Sequence, residues 1–416
     1  MRAVHLLRKL NPAEWGGTET AIQRLFDGLR VHGVTPVVYC PRLEHHSSQD
    51  PLQQNGYCVN RFSAFVPILG LSRSRKREMV SVGGNLMSFD LISSLWREQE
   101  MSIIHTHALG RIGGIGLTIA KQRRIPFVVS VHGGVLDLPH NLKQQFNAPT
   151  NGVWEWGKLF GLLFQSHRLF RDADAILTCN SNEQSLLKER YPSKHIVVQQ
   201  HGVPLQLFQS DQRPAARTAF PQICGKRVLL TAGRIDPVKN QSWLLTQLAG
   251  SLQRDSERLL VLAGAPTHEA YSREIQQQVH ALGLANQVLL TGGLPPDDPR
   301  LIGLFQEAHA IILPSVSETF GLVILEAWAA GTIPIASRTT GALALIRPGS
   351  NGLLFDLEEP ETLRCAIEQT LSNRPWAKEM AARGREQVEQ DHTISTLGQR
   401  LKRLYEDLIE ERACAT

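Results

Sequence analysis

The sequence predicts an α/β protein made of two doubly wound, Rossmann-like domains that face a central cleft. Short apolar runs of the kind that form buried strands alternate with helical patterns along the whole chain. The 416 residues are more than one ordinary hydrophobic core organises, so two domains are expected. A polar stretch without periodicity, Phe208–Cys224, interrupts the alternation near the middle and is interpreted as the linker.

The predicted strands fall into one set on each side of this linker. The first set is Ala3–Leu7, Thr35–Tyr39, Ile103–Thr106, Phe127–Val131, Ala175–Thr178 and Ile196–Val198. The second set is Arg227–Thr231, Leu259–Ala263, Val288–Thr291, Ala310–Leu313 and Ile333–Ser337. Such short apolar strands, separated by helices, are typical of parallel sheets covered on both faces. We therefore expect an N-terminal domain at 1–207 and a C-terminal domain at 225–390, with ligands at the carboxyl ends of the strands.

Helical patterns lie between and after these strands. The clearest are Thr18–Val31, Gly113–Lys121, Asn182–Glu189, Trp376–Glu389 and Ile394–Glu411. Composition agrees with a soluble globular protein, since 42% of residues are hydrophobic and 20% are charged. No apolar run reaches the roughly 18 residues of a membrane span, and the first ten residues predict a strand instead of a signal peptide. Six scattered cysteines without a Cys-x-x-Cys pair favour reduced thiols in a cytoplasmic protein.

The net charge of +5 is unevenly distributed along the chain. Residues 1–205 contain 23 Lys and Arg against 15 Asp and Glu, a net +8, and the remainder contains 21 against 24, a net −3. The densest basic run consists of Arg73, Arg75, Lys76 and Arg77. It is interpreted as a solvated loop, and the alternative is contact with an anionic membrane surface or an acidic acceptor. No aromatic residues interleave with it, so nucleic acid is not expected as a partner.

Two glutamates eight residues apart, Glu318 and Glu326, stand in the most informative segment. A buried strand is predicted before them, and a helix is predicted directly after Glu318, with Phe320, Gly321 and Leu322 at its start and Glu326 about two turns further on. Backbone N–H groups at a helix start attract anions, and carboxylates accept hydrogen bonds from hydroxyls. The segment therefore predicts a ligand with both phosphates and hydroxyls, such as a nucleotide sugar.

A pair of cations follows the first strand of the second half. Gly233 ends that strand, and Arg234 and Lys239 lie in the loop at its carboxyl end. A planar guanidinium and an ammonium point charge together suit a diphosphate. Fixed cations there would stabilise the charge that grows on a departing phosphate. The alternative interpretation is a surface loop with two ordinary charges.

Two features of the first half are predicted to meet a ligand. Gly16 and Gly17 follow the first strand and open a helix, which lets the backbone approach a phosphate or a sugar, although ordinary tight turns share this pattern. His132 ends a strand and precedes Gly133 and Gly134. A neutral imidazole there can hydrogen-bond a sugar hydroxyl or accept a proton, and the alternative is a loop histidine without a task.

Other polar clusters are given structural roles. His105 and His107 have the spacing of a metal-binding pair, but no further ligand accompanies them at metal spacing, so no metal site is predicted. Asp172 and Asp174 precede a strand, away from the expected ligand edge, and are interpreted as a turn. Asp298 is predicted to cap a helix.

Taken in order, these motifs resemble the retaining nucleotide-sugar glycosyltransferases of family 4, which have the GT-B fold. The resemblance covers nearly the whole chain. Its parts are the glycine loop Gly16–Gly17, the acceptor-side histidine motif Ser130–Gly133, the diphosphate pair in Gly233–Lys239 and the E-x(7)-E signature Glu318–Glu326. Only the last motif is specific alone, and the ordered set is what carries the resemblance. The family usually has Asn where His201 stands.

The resemblance implies particular roles for residues of the C-terminal domain. Glu326 would accept hydrogen bonds from the ribose hydroxyls, and Glu318 would contact the transferred sugar. The backbone N–H groups of Phe320, Gly321 and Leu322 would meet the diphosphate or the sugar. Arg234 and Lys239 would then be the diphosphate pair of the same site.

The resemblance also implies features of the whole enzyme. Gly293 would lie near the nucleotide base, and residues 391–416 would form a helix that packs back on the N-terminal domain. No metal and no other cofactor would be needed, because the nucleotide sugar is the donor substrate and UDP or GDP is the product.

The sequence therefore predicts a retaining, metal-independent hexosyltransferase that moves a sugar from a UDP- or GDP-sugar to a hydroxyl acceptor, in polysaccharide or glycoconjugate synthesis. His132, Arg234, Lys239 and Glu318 are its predicted catalytic residues. We expect it in the cytoplasm, with peripheral contact at the inner membrane face. The alternatives are a nucleotide-sugar epimerase, a sugar phosphorylase on a similar scaffold, and a catalytically silent binding subunit.

Overall fold

The computed structural model describes residues 1–12, 15–42, 50–82, 84, 86–133 and 155–414. These residues form two compact units. Unit 1 comprises Met1–Gln200 with Ser395–Thr416, and unit 2 comprises His201–Ile394. Each unit has its own parallel sheet with helices, which confirms the predicted α/β architecture. No helix within the described ranges combines the length and apolar character that crossing a bilayer requires.

The described strands of unit 1 form one seven-stranded parallel sheet in the order β3-β2-β1-β4-β5-β6-β7. They are β1 Arg2–Leu6, β2 Thr35–Pro41, β3 Cys58–Phe62, β4 Ile103–Thr106, β5 Phe127–Val131, β6 Ala175–Thr178 and β7 His195–Val198. Because all pairs are parallel, the carboxyl ends of the strands emerge at one edge. The register places His5 of β1 directly opposite His105 of β4.

Helices cover this sheet. They are α1 Gly17–Val31, α2 Pro51–Gln54, α3 Arg73–Val82, α4 Asp90–Arg97, α5 Arg111–Arg123, α6 Lys158–Leu163, α7 Leu169–Asp172 and α8 Ser181–Arg190. The last helix of the chain, Ile394–Cys414, also packs on this sheet, since its Leu401 and Tyr405 are fully buried against Ala3 and Val128.

The described strands of unit 2 form a six-stranded parallel sheet in the order β10-β9-β8-β11-β12-β13. They are β8 Arg227–Ala232, β9 Arg258–Ala263, β10 Val288–Gly292, β11 Ala310–Leu313, β12 Pro334–Ser337 and β13 Leu353–Phe355. Its helices are α9 Arg213–Ala219, α10 Gln241–Arg254, α11 Glu269–Ala281, α12 Pro299–Glu307, α13 Leu322–Ala329, α14 Thr340–Leu345, α15 Pro360–Ser372 and α16 Arg374–Asp391, and the helix Ile394–Cys414 is α17.

The sequence analysis missed two strands and misinterpreted one segment. Strand β3 is polar and only partly buried, and β13 has three residues, so neither shows a clear apolar pattern. The interpretation of Phe208–Cys224 as an irregular linker was wrong, because it contains α9. That helix packs against α12, where a Cβ at Gly303 would overlap the carbonyl of Gln212.

The structural roles of the acidic residues are confirmed. Asp298 caps α12 by accepting a hydrogen bond from the N–H of Arg300 at 2.8 Å. Asp172 pairs with Lys121 at 2.5 Å. Asp174 accepts from the N–H of Phe127 at 2.7 Å, which ties the start of β5 to the turn before β6.

The basic run predicted to be a membrane contact or a solvated loop forms the start of α3. Arg73, Arg75 and Arg77 are exposed, and Lys76 is partly buried. The same unit exposes apolar side chains on α6, where Leu159 is 75% and Leu162 is 66% accessible. Unit 1 therefore displays both a basic helix and an apolar one.

Candidate functional site

The carboxyl edge of the sheet in unit 2 brings Lys239 and Glu318 together. Strands β8 and β11 are neighbours, so the loops that follow them are adjacent. The two loops are joined by a hydrogen bond from the N–H of Val316 to the carbonyl of Val238 at 2.9 Å. The ammonium of Lys239 forms an ion pair with the carboxylate of Glu318, and both side chains are 21% exposed. The predicted cation and acid thus meet although 79 positions separate them.

Arg234 belongs to the same loop after β8 as Lys239, and its side chain is exposed. Gly233 has φ +138°, a conformation that side-chain-bearing residues rarely adopt, and its carbonyl lies so close to Gly264 that a Cβ there would overlap it. The carbonyl of Arg234 accepts a hydrogen bond from the amide of Gln241 at 2.8 Å. The backbone at Arg234 is therefore held while its guanidinium remains available to an anion.

The helix after Glu318 begins later than predicted. Gly321 has φ +88° and ψ 58°, which is left-handed, so α13 starts only at Leu322. The expectation that Phe320 and Gly321 lie in the first helical turn is wrong, because a left-handed residue cannot continue an α-helix backwards. Glu326 consequently lies one turn into α13, and its side chain is buried, with 9% accessible.

The start of α14, which follows β12, supports the main chain of this segment. The N–H of Gly341 donates to the carbonyl of Glu318 at 2.8 Å. A Cβ on Gly341 would lie 2.6 Å from the backbone nitrogen of Phe320, so this position requires glycine. Both contacts fix the direction in which the Glu318 backbone leaves β11.

An aromatic cluster that the sequence analysis missed packs against Phe320. The ring of His201 meets that of Phe320 edge-on with centroids 4.8 Å apart, and His392 lies 6.4 Å from it. These residues are far apart in sequence, so no local pattern could have grouped them. The position where the family usually has Asn is thus part of the packing around the predicted ligand segment.

Gly293 follows β10 at the same edge of the unit 2 sheet. A Cβ there would lie 2.8 Å from that of Ala265, in the loop after β9. Because β9 separates β10 from β8, Gly293 lies on the far side of the Ala265 loop from Arg234. Along this edge the loops therefore follow one another in the order Gly293, Ala265, Arg234 and Glu318.

In unit 1, the glycine turn is closed by its own helix. Gly16 caps α1, and its N–H donates to the carboxylate of Glu19 at 3.1 Å. Lys9 lies 3.6 Å from the other oxygen of Glu19. The N–H of Gly16 is thus used within the protein, and a donor role at this turn falls to Gly17 and the residues after it.

His132 follows β5 and is the end of a chain of histidines. Its Nε2 lies 2.7 Å from Nδ1 of His107, and Nε2 of His107 lies 3.0 Å from Nδ1 of His5. The reason given above for excluding a metal was wrong, because His5 does accompany His105 and His107, with ligand atoms of all three within 4.8 Å. Gly134, the last residue of the predicted His132 motif, lies outside the described residues.

His105 takes no part in that hydrogen-bonded chain. Its Nε2 lies 2.6 Å from the hydroxyl of Ser130, and its Nδ1 lies 2.5 Å from that of Tyr405 on α17. The hydroxyl of Tyr405 is fully buried and its pKa is raised well above its usual value by burial. The last helix of the chain is therefore bonded to the centre of the unit 1 sheet.

Burial keeps these imidazoles neutral. It lowers the pKa of His5 and of His105 well below the usual value of 6.5. Burial, together with the charge of Arg8, lowers the pKa of His132 to about 4. At neutral pH each ring thus carries one proton.

Comparison with known proteins agrees with this geometry. The model of Glycosyltransferase Family 4 matches residues 15–207, and that of Glycosyl transferases group 1 matches residues 213–387. The D-inositol 3-phosphate glycosyltransferase of Arthrobacter sp. is 27% identical over 82% of this chain and 78% of its own length. The protein of that name from Nocardia farcinica is 27% identical over 68% of this chain, but the match spans only 61% of the relative.

Among solved structures, Anabaena Alr3699/HepE in complex with UDP and glucose superposes with a TM-score of 0.72 at 19% identity, covering 98% of this chain and 99% of that one. At this identity the likeness shows the fold. The chain belongs to the family 4 glycosyltransferases and has their GT-B fold.

The buried histidines predict a loss of stability in mild acid. Between pH about 6.5 and 4 the unfolded chain binds more protons than the folded one, because the folded histidines have lowered pKa values. The free energy of unfolding should therefore decrease as pH falls, by up to about 1.4 kcal/mol per pH unit for each histidine. Urea denaturation at several pH values in this window measures the slope.

Two variants assign the slope to its cause. His5→Phe removes one buried histidine and should make the pH dependence shallower. His195→Phe, at an exposed position, should leave it as in the wild type. A slope that His5→Phe does not change would contradict the assignment.

Proposed function

We propose that this protein transfers a sugar from a nucleotide-diphosphate sugar to a hydroxyl acceptor, with retention of configuration at the sugar. The observation that carries the proposal is the ion pair of Lys239 with Glu318 at the carboxyl edge of the unit 2 sheet, in which Lys239 shares its loop with the exposed Arg234. Membership of the glycosyltransferase family supports the proposal. Independently of it, two positive charges near the start of a helix suit a diphosphate.

The ion pair of Lys239 with Glu318 would be replaced by contacts with the ligand when the ligand binds. In the absence of a diphosphate, Glu318 balances the charge of Lys239. A bound diphosphate would compete for the ammonium and release the carboxylate to accept hydrogen bonds from the sugar hydroxyls. Arg234 and Lys239 would then stabilise the charge that develops on the diphosphate as the glycosidic bond breaks. In this proposal side chains supply the positive charge, and neither a metal nor another cofactor takes part.

The buried carboxylate of Glu326 would recognise the ribose. It lies one turn into α13, the helix whose first N–H groups, beginning at Leu322, would meet the phosphate. We propose UDP in preference to GDP as the nucleotide, because the structure of HepE, which has a similar fold, is a complex with UDP and glucose. Gly293 is the last of the residues along this edge, and because it has no side chain it would leave space for the base.

The acceptor would bind unit 1. There the neutral ring of His132 and the turn at Gly17 lie at the carboxyl edge of the sheet. The relatives named for D-inositol 3-phosphate support an acceptor with several hydroxyls and a negative charge. Residues 1–205 have a net charge of +8, from 23 basic and 15 acidic residues, which agrees with such an acceptor. We place the reaction in glycoconjugate or polysaccharide synthesis in the cytoplasm, at the inner membrane face.

Arg234→Ala should lower kcat by about 10²- to 10³-fold, because it removes a fixed cation from the departing diphosphate. The side chain is exposed, so the melting temperature should stay unchanged. The donor is first identified by incubating the protein with UDP-, GDP- and ADP-sugars and recording which one raises the melting temperature. Release of the nucleoside diphosphate then measures turnover.

Arg300→Ala is the matched control, since Arg300 is an exposed arginine of the same unit that pairs with Asp298. It should retain full turnover. Equal activity of Arg234→Ala and wild type would remove Arg234 from the mechanism.

Glu326→Ala should weaken binding of the nucleotide by roughly 10- to 100-fold, because a charged hydrogen-bond acceptor for the ribose is lost. Glu326→Gln keeps one oxygen acceptor and should give an intermediate affinity. Calorimetric titration with UDP measures both, and the exposed Glu358→Ala serves as the control. Wild-type affinity in the alanine variant would refute the ribose role.

The basic start of α3 should direct unit 1 to anionic membranes. Replacement of Arg73, Arg75 and Arg77 by Ser should weaken binding to vesicles that contain phosphatidylserine by roughly 100-fold, since each basic residue contributes about 1 kcal/mol at such a surface. Vesicle flotation at two salt concentrations measures this, and binding should weaken as salt rises.

The matched control removes three exposed basic residues of unit 2, namely Arg254, Arg273 and Lys378. It changes the net charge equally and should keep vesicle binding. If the wild type fails to float with anionic vesicles, α3 is a solvated helix and the membrane proposal fails.

A further inference from the structure

Helix α6 turns an apolar face to solvent. Its Leu159, Leu162 and Leu163 are 75%, 66% and 65% accessible. Residues three and four positions apart lie on the same face of a helix, so the three side chains form one stripe. Gly161 lies towards the protein, since a Cβ there would lie 3.0 Å from the hydroxyl oxygen of Ser166. A surface helix usually turns its apolar face to the core, and α6 does the reverse.

Four aromatic rings extend this stripe into a larger surface. The ring of Phe160, on α6 itself, lies 5.4 Å from that of Phe89 and 5.8 Å from that of Trp156. The ring of Phe65 lies 5.8 Å and 5.9 Å from the same two rings. Phe89 is 51% accessible, and the other three rings are only partly buried. The three leucines and these four rings form the apolar patch, and a contiguous surface of this kind marks an interaction site.

The exposed arginines of α3 lie close to the apolar patch. Gly157, directly before α6, packs on Pro67, because a Cβ there would lie 2.3 Å from Cγ of that proline. The main chain of Ile68 is bridged to that of Glu155. Helix α3 begins at Arg73, five residues after Ile68, so at most about 18 Å of chain separates the two. A basic helix and an apolar patch are therefore neighbours on unit 1.

An anionic bilayer is the partner that matches both features. Leucines and aromatic rings bury in the boundary between headgroups and acyl chains, and arginines bind the anionic headgroups. A six-residue helix is roughly 9 Å long, so α6 would lie in this boundary and not cross an apolar layer about 30 Å thick. Two copies of the chain joined at the apolar patch would bring two basic α3 helices together, which the repulsion of like charges disfavours.

The apolar patch begins at the edge of the sheet where we place the acceptor. Helix α5 starts at Arg111, shortly after the carboxyl end of β4, and the guanidinium of Arg111 pairs with Glu155 at 2.6 Å. Phe65 follows the carboxyl end of β3 by three residues. Insertion of the apolar patch into a bilayer would therefore hold this edge at the level of the lipid headgroups.

We propose that the apolar patch inserts into the interfacial layer of an anionic bilayer, and that the acceptor is a lipid whose polar, negatively charged headgroup reaches the carboxyl edge of the unit 1 sheet. The acceptor class rests on the proposed function, whereas the insertion does not. Helix α3 supplies an attraction that salt weakens, and the apolar patch supplies one that salt does not screen. The two contributions can therefore be measured separately.

Replacement of Leu159 and Leu162 by Ser removes apolar surface that would leave water on insertion. The full-length variant should bind vesicles of phosphatidylcholine and phosphatidylserine roughly 100-fold more weakly than the wild type. The deficit should persist at about 1 M salt, where charges are screened. Both side chains are exposed, so the melting temperature should not fall. Vesicle flotation measures the binding, and wild-type affinity in this variant would overturn the insertion.

The matched control replaces Val31 and Leu186 by Ser. These are also exposed apolar side chains of unit 1, at 66% and 37%, but they lie on α1 and α8, outside the apolar patch. The control should float with vesicles as the wild type does. An equal loss of binding in the control would contradict the assignment to the apolar patch.

Two further measurements identify the occupant of the apolar patch. Brominated acyl chains should quench the fluorescence of Trp156, taken as the difference between the wild type and Trp156→Phe, and an absence of quenching would overturn the insertion. Sedimentation velocity without lipid should show a monomer. A dimer that the double leucine variant converts to a monomer would show that the apolar patch binds a second copy of the chain instead.

The acceptor class is tested with the donor identified above, carrying a labelled sugar. Label should pass to phosphatidylinositol in vesicles, which is the probe for an anionic headgroup with several hydroxyls, and the double leucine variant should transfer roughly tenfold less. Faster transfer to free D-inositol 3-phosphate would overturn the lipid acceptor and leave the insertion standing. If no donor binds or reacts while the wild type still floats with vesicles, the proposed function fails and the insertion stands.

Discussion

Parallel pairing of neighbouring strands is the constraint on which both units depend. It delivers every strand's carboxyl end to one edge of its sheet, so loops from distant parts of the chain become neighbours. In unit 2 the adjacency of β8 and β11 creates the contact of Lys239 with Glu318. In unit 1 the adjacency of β1 and β4 sets His5 beside His105. Neither set of contacts would exist if the strand order were sequential, because the loops would then be separated.

The polar side chains at the sheet edge are charged in unit 2 and neutral in unit 1. The edge of unit 2 contains charged groups that are already paired, and an ion pair with about a fifth of each side chain exposed can exchange partners without the large desolvation penalty of a buried one. Unit 1 instead contains neutral imidazoles that burial keeps uncharged. A diphosphate is charged and suits charged side chains, whereas a sugar hydroxyl is uncharged and suits neutral ones. The two sites therefore agree with the donor and acceptor roles that we propose for them.

Glycine positions set the geometry at the carboxyl edge of the unit 2 sheet. Gly233 and Gly321 adopt positive φ values of 138° and 88°, and Gly341 leaves room for the backbone of Phe320. These turns direct Arg234 outward and delay the start of α13, which brings Glu326 to its first turn. The last helix has a similar role in unit 1, because the hydroxyl of Tyr405 bonds His105 at the centre of the sheet.

The sequence by itself determined the architecture and most of the residues that we propose for donor binding. Fully buried apolar runs such as Phe127–Val131 and Ala310–Leu313 predicted their strands to the residue, because hydrophobic periodicity is a local property. Only the tertiary structure decided the start of α13, which depends on the left-handed backbone of Gly321, and the partners of His132, which depend on strand register. A histidine in an apolar strand, as in His5, gave no indication of its neighbour, since register is set by packing across 102 residues of chain and not by the residues next to it.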